Sequence, residues 1–98
     1  MSKVILQISY EVAPEAREAY LSLAKEMRTQ FVDVRKKDYS VYEVKGRKNS
    51  FTEEFVCKSM EEFDALEDDL DEKSEELVNR LESLVKEGTT KYTTLIEI

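Results

Sequence analysis

The side chains best spaced for chemistry alternate with apolar ones. Gln7, Ser9 and Glu11 do so in VILQISYEV, Thr52 and Glu54 do so in SFTEEFVCK, and Tyr42 stands in a third such segment, YSVYEV. In a strand, every second side chain points to the same face of the sheet. An amide, hydroxyls and a carboxylate gathered on one face can orient a ligand through hydrogen bonds. A carboxylate enclosed there has its charged form disfavoured and works as an acid or base. Gln7, Ser9, Tyr42 and Glu54 are therefore the candidate ligand contacts, and Glu54 and Tyr42 the candidate catalytic groups. The role depends on cover: a second sheet laid over this face makes a chamber of it, and water makes it a solvated surface.

Other chemistries are absent at the level of residue type. With no histidine, the chain lacks the usual general base, the commonest transition-metal ligand and the ordinary partner of a serine or cysteine nucleophile. Cys57 precedes a helix start, a place that can lower a thiol's pKa, but a lone cysteine more often packs as a small hydrophobe. The run Glu61 to Glu76 holds ten acidic residues against one lysine. A calcium loop needs a turn-forming glycine among its oxygen ligands, and no glycine lies between Gly46 and Gly88, so no metal is expected. That run reads as a solvated acidic face, or as a surface facing the basic segments Arg35-Lys36-Lys37 and Lys45-Gly46-Arg47-Lys48.

The elements that must position these groups are legible from periodicity. Val4, Leu6, Ile8, Tyr10 and Val12 form the apolar face of a first strand. Pro14 suits a first helical turn, with Glu15 and Glu18 complementing the helix N-terminus. Ala16, Tyr20, Leu23, Met27 and Phe31 then recur at steps of three and four, with Val34 near the helix end. Residues 39–44 and 51–58 predict two strands around a turn at 46–49. Phe51, Glu53, Phe55 and Cys57 share one face of the second, and Phe55 and Cys57 are expected to meet the helices. Ser59 and Glu62 make a capping box, with the carboxylate bonding back to the cap's own N–H. The following stripe runs Met60, Phe63, Leu66 and Leu70, then Leu77, Leu81 and Leu84, with Val78 and Val85 alongside, as one helix or as two joined near 69–72. Gly88 can end it, and residues 91–98 predict a last strand. The order β-α-β-β-α-β is the ferredoxin-like arrangement, a four-stranded antiparallel sheet with helices on one face.

The chain of 98 residues, 41% hydrophobic, fits a single domain over residues 1–98. A core of that size is modest, so covering the second sheet face by self-association is physically useful. A net charge of −7 opposes nucleic acid and anionic membrane, both polyanions. The apolar start is interrupted by Gln7, Ser9 and Glu11, so it reads as a strand and not a signal peptide. No stretch is long enough to span a membrane, and a single cysteine fits a reducing, cytoplasmic setting.

The segments VILQISYEVAPEAREAYLSLAKEM and EEFVCKSMEEFDALEDDL, each a strand, a brief joint and a helix, resemble the dimeric α+β barrel superfamily, particularly the small antibiotic-biosynthesis-monooxygenase-like proteins. The resemblance implies a homodimer whose two sheets pair into a barrel. Some such proteins oxidise aromatic or polyketide-like substrates without a bound cofactor, and others degrade haem. Many carry a histidine in the helix after the third strand, where Phe63-Asp64-Ala65-Leu66 places Leu66. The haem-degrading branch relies on histidine and on a pocket tryptophan, both missing here, so haem degradation and histidine-dependent monooxygenase chemistry are not expected, nor is any cofactor.

Three function classes follow. In the first, a dimeric barrel holds a small, partly apolar molecule between sheet and helices, contacted by Gln7, Ser9, Tyr42 and Glu54. In the second, a cofactor-free monooxygenase or isomerase works through Glu54 or Tyr42. In the third, a ferredoxin-like regulatory or scaffold module binds another protein.

Overall fold

The computed structural model describes residues 2–68 and 71–98. Strand β1 (Val4–Glu11) leads through a short 3₁₀ turn at Pro14–Ala16 into helix α1 (Arg17–Arg28). A wider π-helical segment, Thr29–Val34, extends that helix before strands β2 (Asp38–Glu43) and β3 (Ser50–Cys57). Helices α2 (Met60–Asp68) and α3 (Glu72–Leu84) and strand β4 (Lys91–Ile96) complete the chain. The four strands form one sheet in the order β2-β3-β1-β4, every pair antiparallel. This is the expected ferredoxin-like sandwich, with the second helical region divided into two helices.

Local chemistry explains the joints. Asp71 caps α3 by accepting the Ser74 N–H at 2.8 Å, and this cap starts a new helix instead of continuing α2. Ser59 caps α2 as expected, its hydroxyl accepting the Glu62 N–H at 3.2 Å, but the Glu62 carboxylate reaches the Lys58 N–H at 2.9 Å in place of the cap's own. In the π-helical segment the Arg35 N–H bonds the Gln30 carbonyl, five residues back, at 3.0 Å. The register change turns Gln30 and Phe31 inward and leaves Val34 62% exposed. Lys36 then adopts a left-handed conformation, φ 57°, and the Lys37 N–H closes on the Phe31 carbonyl at 2.7 Å, a helix stop usually built on glycine or asparagine.

The core lies between the helices and the inner sheet face. Tyr10, Val12, Tyr20, Leu23, Met27, Phe31, Tyr39, Phe51, Leu77 and Leu81 form one buried cluster. Burying a side chain the size of Leu23 or Met27 stabilises by about 1.5–3 kcal/mol. Tyr20 stacks on Phe51 with ring centroids 4.2 Å apart, and Tyr39 packs on Phe55 at 4.6 Å. Met60, at the head of the predicted stripe, is exposed, and Leu70 lies outside the described residues. Cover is uneven across the sheet: α1 packs on β2, α2 on β1 and β3, while every residue of β4 is exposed.

Candidate functional site

The register places Gln7, Ser9, Tyr42 and Glu54 on one sheet face, the face away from the helices. Gln7 pairs with Glu54 and Ser9 with Thr52 across β1 and β3, and Tyr42 pairs with Thr52 across β2 and β3. The Gln7 amide donates to Glu54 Oε2 at 3.1 Å, and the Ser9 and Thr52 hydroxyls are 3.0 Å apart. Tyr42, on an edge strand, is 52% exposed. The four residues form a polar surface, and none of them lines the cavity on the other side of the sheet.

That cavity, of about 650 Å³, lies between the inner sheet face and helices α2 and α3. Leu6, Ile8 and Phe55 line it from the sheet, Phe63 and Leu66 from α2, and Val78 and Leu81 from α3. Tyr92 and Thr94 of the uncovered strand β4 form another part of the wall.

Tyr10 and Glu53, each only 3% exposed, are the most deeply buried polar groups of the lining. Tyr39 Oη donates to Glu53 Oε1 at 2.7 Å, while the buried Glu53 Oε2 has no hydrogen-bond partner. The Tyr10 and Tyr20 hydroxyls are 2.7 Å apart. Burial pushes the Glu53 carboxyl above its ordinary value, against the hydroxyls of Tyr39 and Tyr10, which favour the charged form. The same burial, with the nearby Glu53 charge second, pushes Tyr10 and Tyr39 far above the usual phenol range. Tyr20 rises for the same first reason, while its hydrogen bond with Tyr10 pulls it down.

A neutral carboxyl fits these surroundings. One oxygen accepts from Tyr39, and the other has no hydrogen-bond partner in the protein. Leaving such a buried group unsatisfied costs about 1–3 kcal/mol, so its persistence calls for an explanation outside the packing of the core. The lining offers apolar contact over most of its area and, at depth, the Glu53 carboxyl and the Tyr10 hydroxyl, the composition of a small-molecule site. Among the described residues, no group of three or more acidic or thiol side chains is placed to hold a metal ion.

Glu53 was not among the candidates drawn from sequence, although its signal was present. It alternates with Phe51, Phe55 and Cys57, so a carboxylate occupies an otherwise apolar, helix-facing series. Period two requires it to be buried, and a buried carboxylate needs a reason. Cys57 is buried beside it in sequence order, and burial pushes its thiol up, the environment of an inert thiol.

No protein-family model and no curated protein matches the sequence. Solved structures do match in fold. A conserved protein from Methanosarcina mazei superposes with a TM-score of 0.81 at 17% identity, over 97% of this chain and 92% of that one. SnoaB, a cofactor-independent oxygenase from Streptomyces nogalater, superposes at 0.73 with 13% identity, over 95% and 90%. An antibiotic biosynthesis monooxygenase superposes at 0.69 with 18% identity, over 100% and 97%. The fold is the one that these antibiotic biosynthesis monooxygenase and SnoaB structures adopt. Leu66, the position at which the sequence resemblance led us to look for a histidine, is an apolar part of the cavity wall. No helix among the described residues is long and apolar enough to cross a membrane.

Proposed function

We propose that this protein binds a small, largely apolar molecule in the cavity between its sheet and helices, with Glu53 as the polar anchor. The observation that carries this reading is a cavity of about 650 Å³, within the range of ligand pockets, whose lining includes Glu53, a buried residue with one carboxyl oxygen unpartnered. The test is a titration of isotope-labelled protein with 2-naphthol, followed by amide NMR shifts. Shifts centred on Leu6, Ile8, Phe55 and Val78 support the reading. Shifts confined to Gln7, Ser9 and Glu54 overturn it and return the site to the outer face.

A homodimer is part of the same proposal. The face carrying Gln7, Ser9, Thr52 and Glu54 is the one that a second copy covers, turning two sheets into a barrel, and the likeness to the dimeric α+β barrel superfamily supports it. Catalysis through Glu54 or Tyr42 requires that cover. Light scattering at micromolar concentration checks the dimer: a monomer removes the enclosed outer face, and with it any role for Glu54 and Tyr42 as buried acid or base.

The likeness to a cofactor-independent oxygenase supports a second reading, in which the same cavity houses oxidation of an aromatic substrate. Oxygen uptake by the purified protein with added 1-naphthol checks it. Uptake lost on Val78→Trp, which fills the cavity, supports this reading, and the absence of uptake in wild type removes it for that substrate class.

A further inference from the structure

We infer that helix α2 is a lid: it swings on its capped N-terminal end while α1, α3 and the sheet hold still, and it closes when an occupant fills the cavity beneath Phe63 and Leu66. The inference rests on the pocket reading above and adds the part of the wall that moves.

The three helices are held unequally. α1 buries Tyr20, Leu23 and Met27, and α3 buries Ser74, Leu77 and Leu81. These two are clamped together by the Arg80 guanidinium, which donates to the Glu26 carboxylate at 2.8 and 3.1 Å. The start of α3 is tied to the π-helical segment by the Gln30 amide, which donates to Asp71 at 3.0 Å. α2 is fastened in no such way. None of residues 60–66 is buried, and none belongs to the core cluster or to the partly buried side chains packed on it. Among the described residues, their side-chain hydrogen bonds go only to the helix's own start, where Ser59 accepts the Glu62 N–H and Glu62 accepts the Lys58 N–H.

A helix held in this way has little stability of its own. Its 9 residues fall short of the ~12–15 at which an isolated helix becomes even marginal in water. Glu61 and Asp64 are like charges three residues apart. The last turn has no basic residue to meet the negative end of the helix dipole, where α1 has Lys25 and Arg28. The first turn is the firm end, with its Ser59 cap and with Glu61 and Glu62 at the positive end of the dipole. The apolar hold on the rest of α2 falls to Phe63 and Leu66, and both line the cavity. Part of their surface therefore meets space instead of protein atoms and gains no dispersion contact there. An occupant of the cavity supplies that contact, and the lid comes down on it.

Hydrogen exchange of the native, isotope-labelled protein, followed by NMR at several low denaturant concentrations, tests this. In the free protein the amides of Phe63 to Leu66 should exchange about a hundredfold faster than those in the middle of α1 and α3, after correction for intrinsic rates. Their rates should also depend little on denaturant, the mark of a local opening that exposes little surface. Equal protection and equal denaturant dependence in all three helices overturns the lid. A second measurement adds 2-naphthol at about ten times its dissociation constant. If the probe is held only under the closed lid, exchange at Phe63 to Leu66 should slow about tenfold by mass action. Binding of 2-naphthol with those rates unchanged overturns the lid and leaves the pocket standing. Failure of 2-naphthol to bind overturns the pocket reading, and the comparison of helices in the free protein then decides the hinge by itself.

Discussion

Glu53 and Glu54 are consecutive residues of β3, yet they occupy different solvents. Glu54 points to the outer face and takes a hydrogen bond from Gln7 at 3.1 Å. Glu53 points to the helices, is 3% exposed, and keeps one oxygen without a partner. The pleat alone separates them. The chemistry of a carboxylate here is therefore set by which side of one strand it leaves, and the two faces follow the same division. The inner face carries stacked rings and a cavity, and the outer face carries paired polar groups.

The largest test of that contrast is truncation on each side. Tyr20→Ala, which removes the ring stacked on Phe51 and the hydroxyl shared with Tyr10, should cost about 3–5 kcal/mol in chemical denaturation. Ser9→Ala on the outer face, which removes one hydroxyl pairing, should cost about 1 kcal/mol or less. Equal losses would erase the distinction between the faces.

The next test uses pH. The native chain holds the Glu53 proton above the ordinary carboxyl value of 4.5, where the unfolded chain has released it. The native state then binds more protons, so this group's contribution to stability falls as pH rises above that value. Glu53→Gln should remove that decline, seen as a flatter plot of denaturation midpoint against pH. A variant with the wild-type slope would show that Glu53 does not titrate out of register with the unfolded chain.

The smallest effect sharpens the comparison with a third carboxylate. Glu43 lies against the Arg17 guanidinium, with contacts of 2.6 and 3.0 Å. That hydrogen bond, helped by the Asn49 N–H, lowers its pKa from 4.5 to about 2. Between those values the unfolded chain binds more protons, so stability rises with pH and is lost as pH falls through the window. The sign is opposite to that of Glu53. Arg17 and Glu43 are both partly solvent-exposed, so the effect should be slight and weakened by salt. Arg17→Met should remove it.

Much of the architecture was legible because it depends on local patterns. The alternation in β1 and the stripe Tyr20, Leu23, Met27 and Phe31 state which faces are buried, and the Ser59 cap marks where α2 starts. The division between α2 and α3 was left open by the same patterns, since the apolar stripe runs across both. The deciding interaction was the Asp71 side chain on the Ser74 N–H, one acidic residue among many. The pocket was less legible. Polar residues at period two drew attention to Gln7, Ser9 and Glu54, whereas the cavity is closed between the inner faces of β1 and β3 and the distant segments α2, α3 and β4, whose spacing depends on packing. Glu53 carried a readable sign, a carboxylate in a helix-facing series. Its partners Tyr10 and Tyr39 come from two other strands, and only the fold brings them to it.

The chain has no tryptophan and five tyrosines, and three of these, Tyr10, Tyr20 and Tyr39, belong to the buried cluster around Glu53. The protein's near-ultraviolet absorption thus comes mainly from tyrosine, with three of its five rings in this hydrogen-bonded cluster and one of them, Tyr10, on the cavity wall. An occupant of the cavity that displaces the Tyr10 ring perturbs these chromophores, so the unlabelled protein is its own optical reporter of that site.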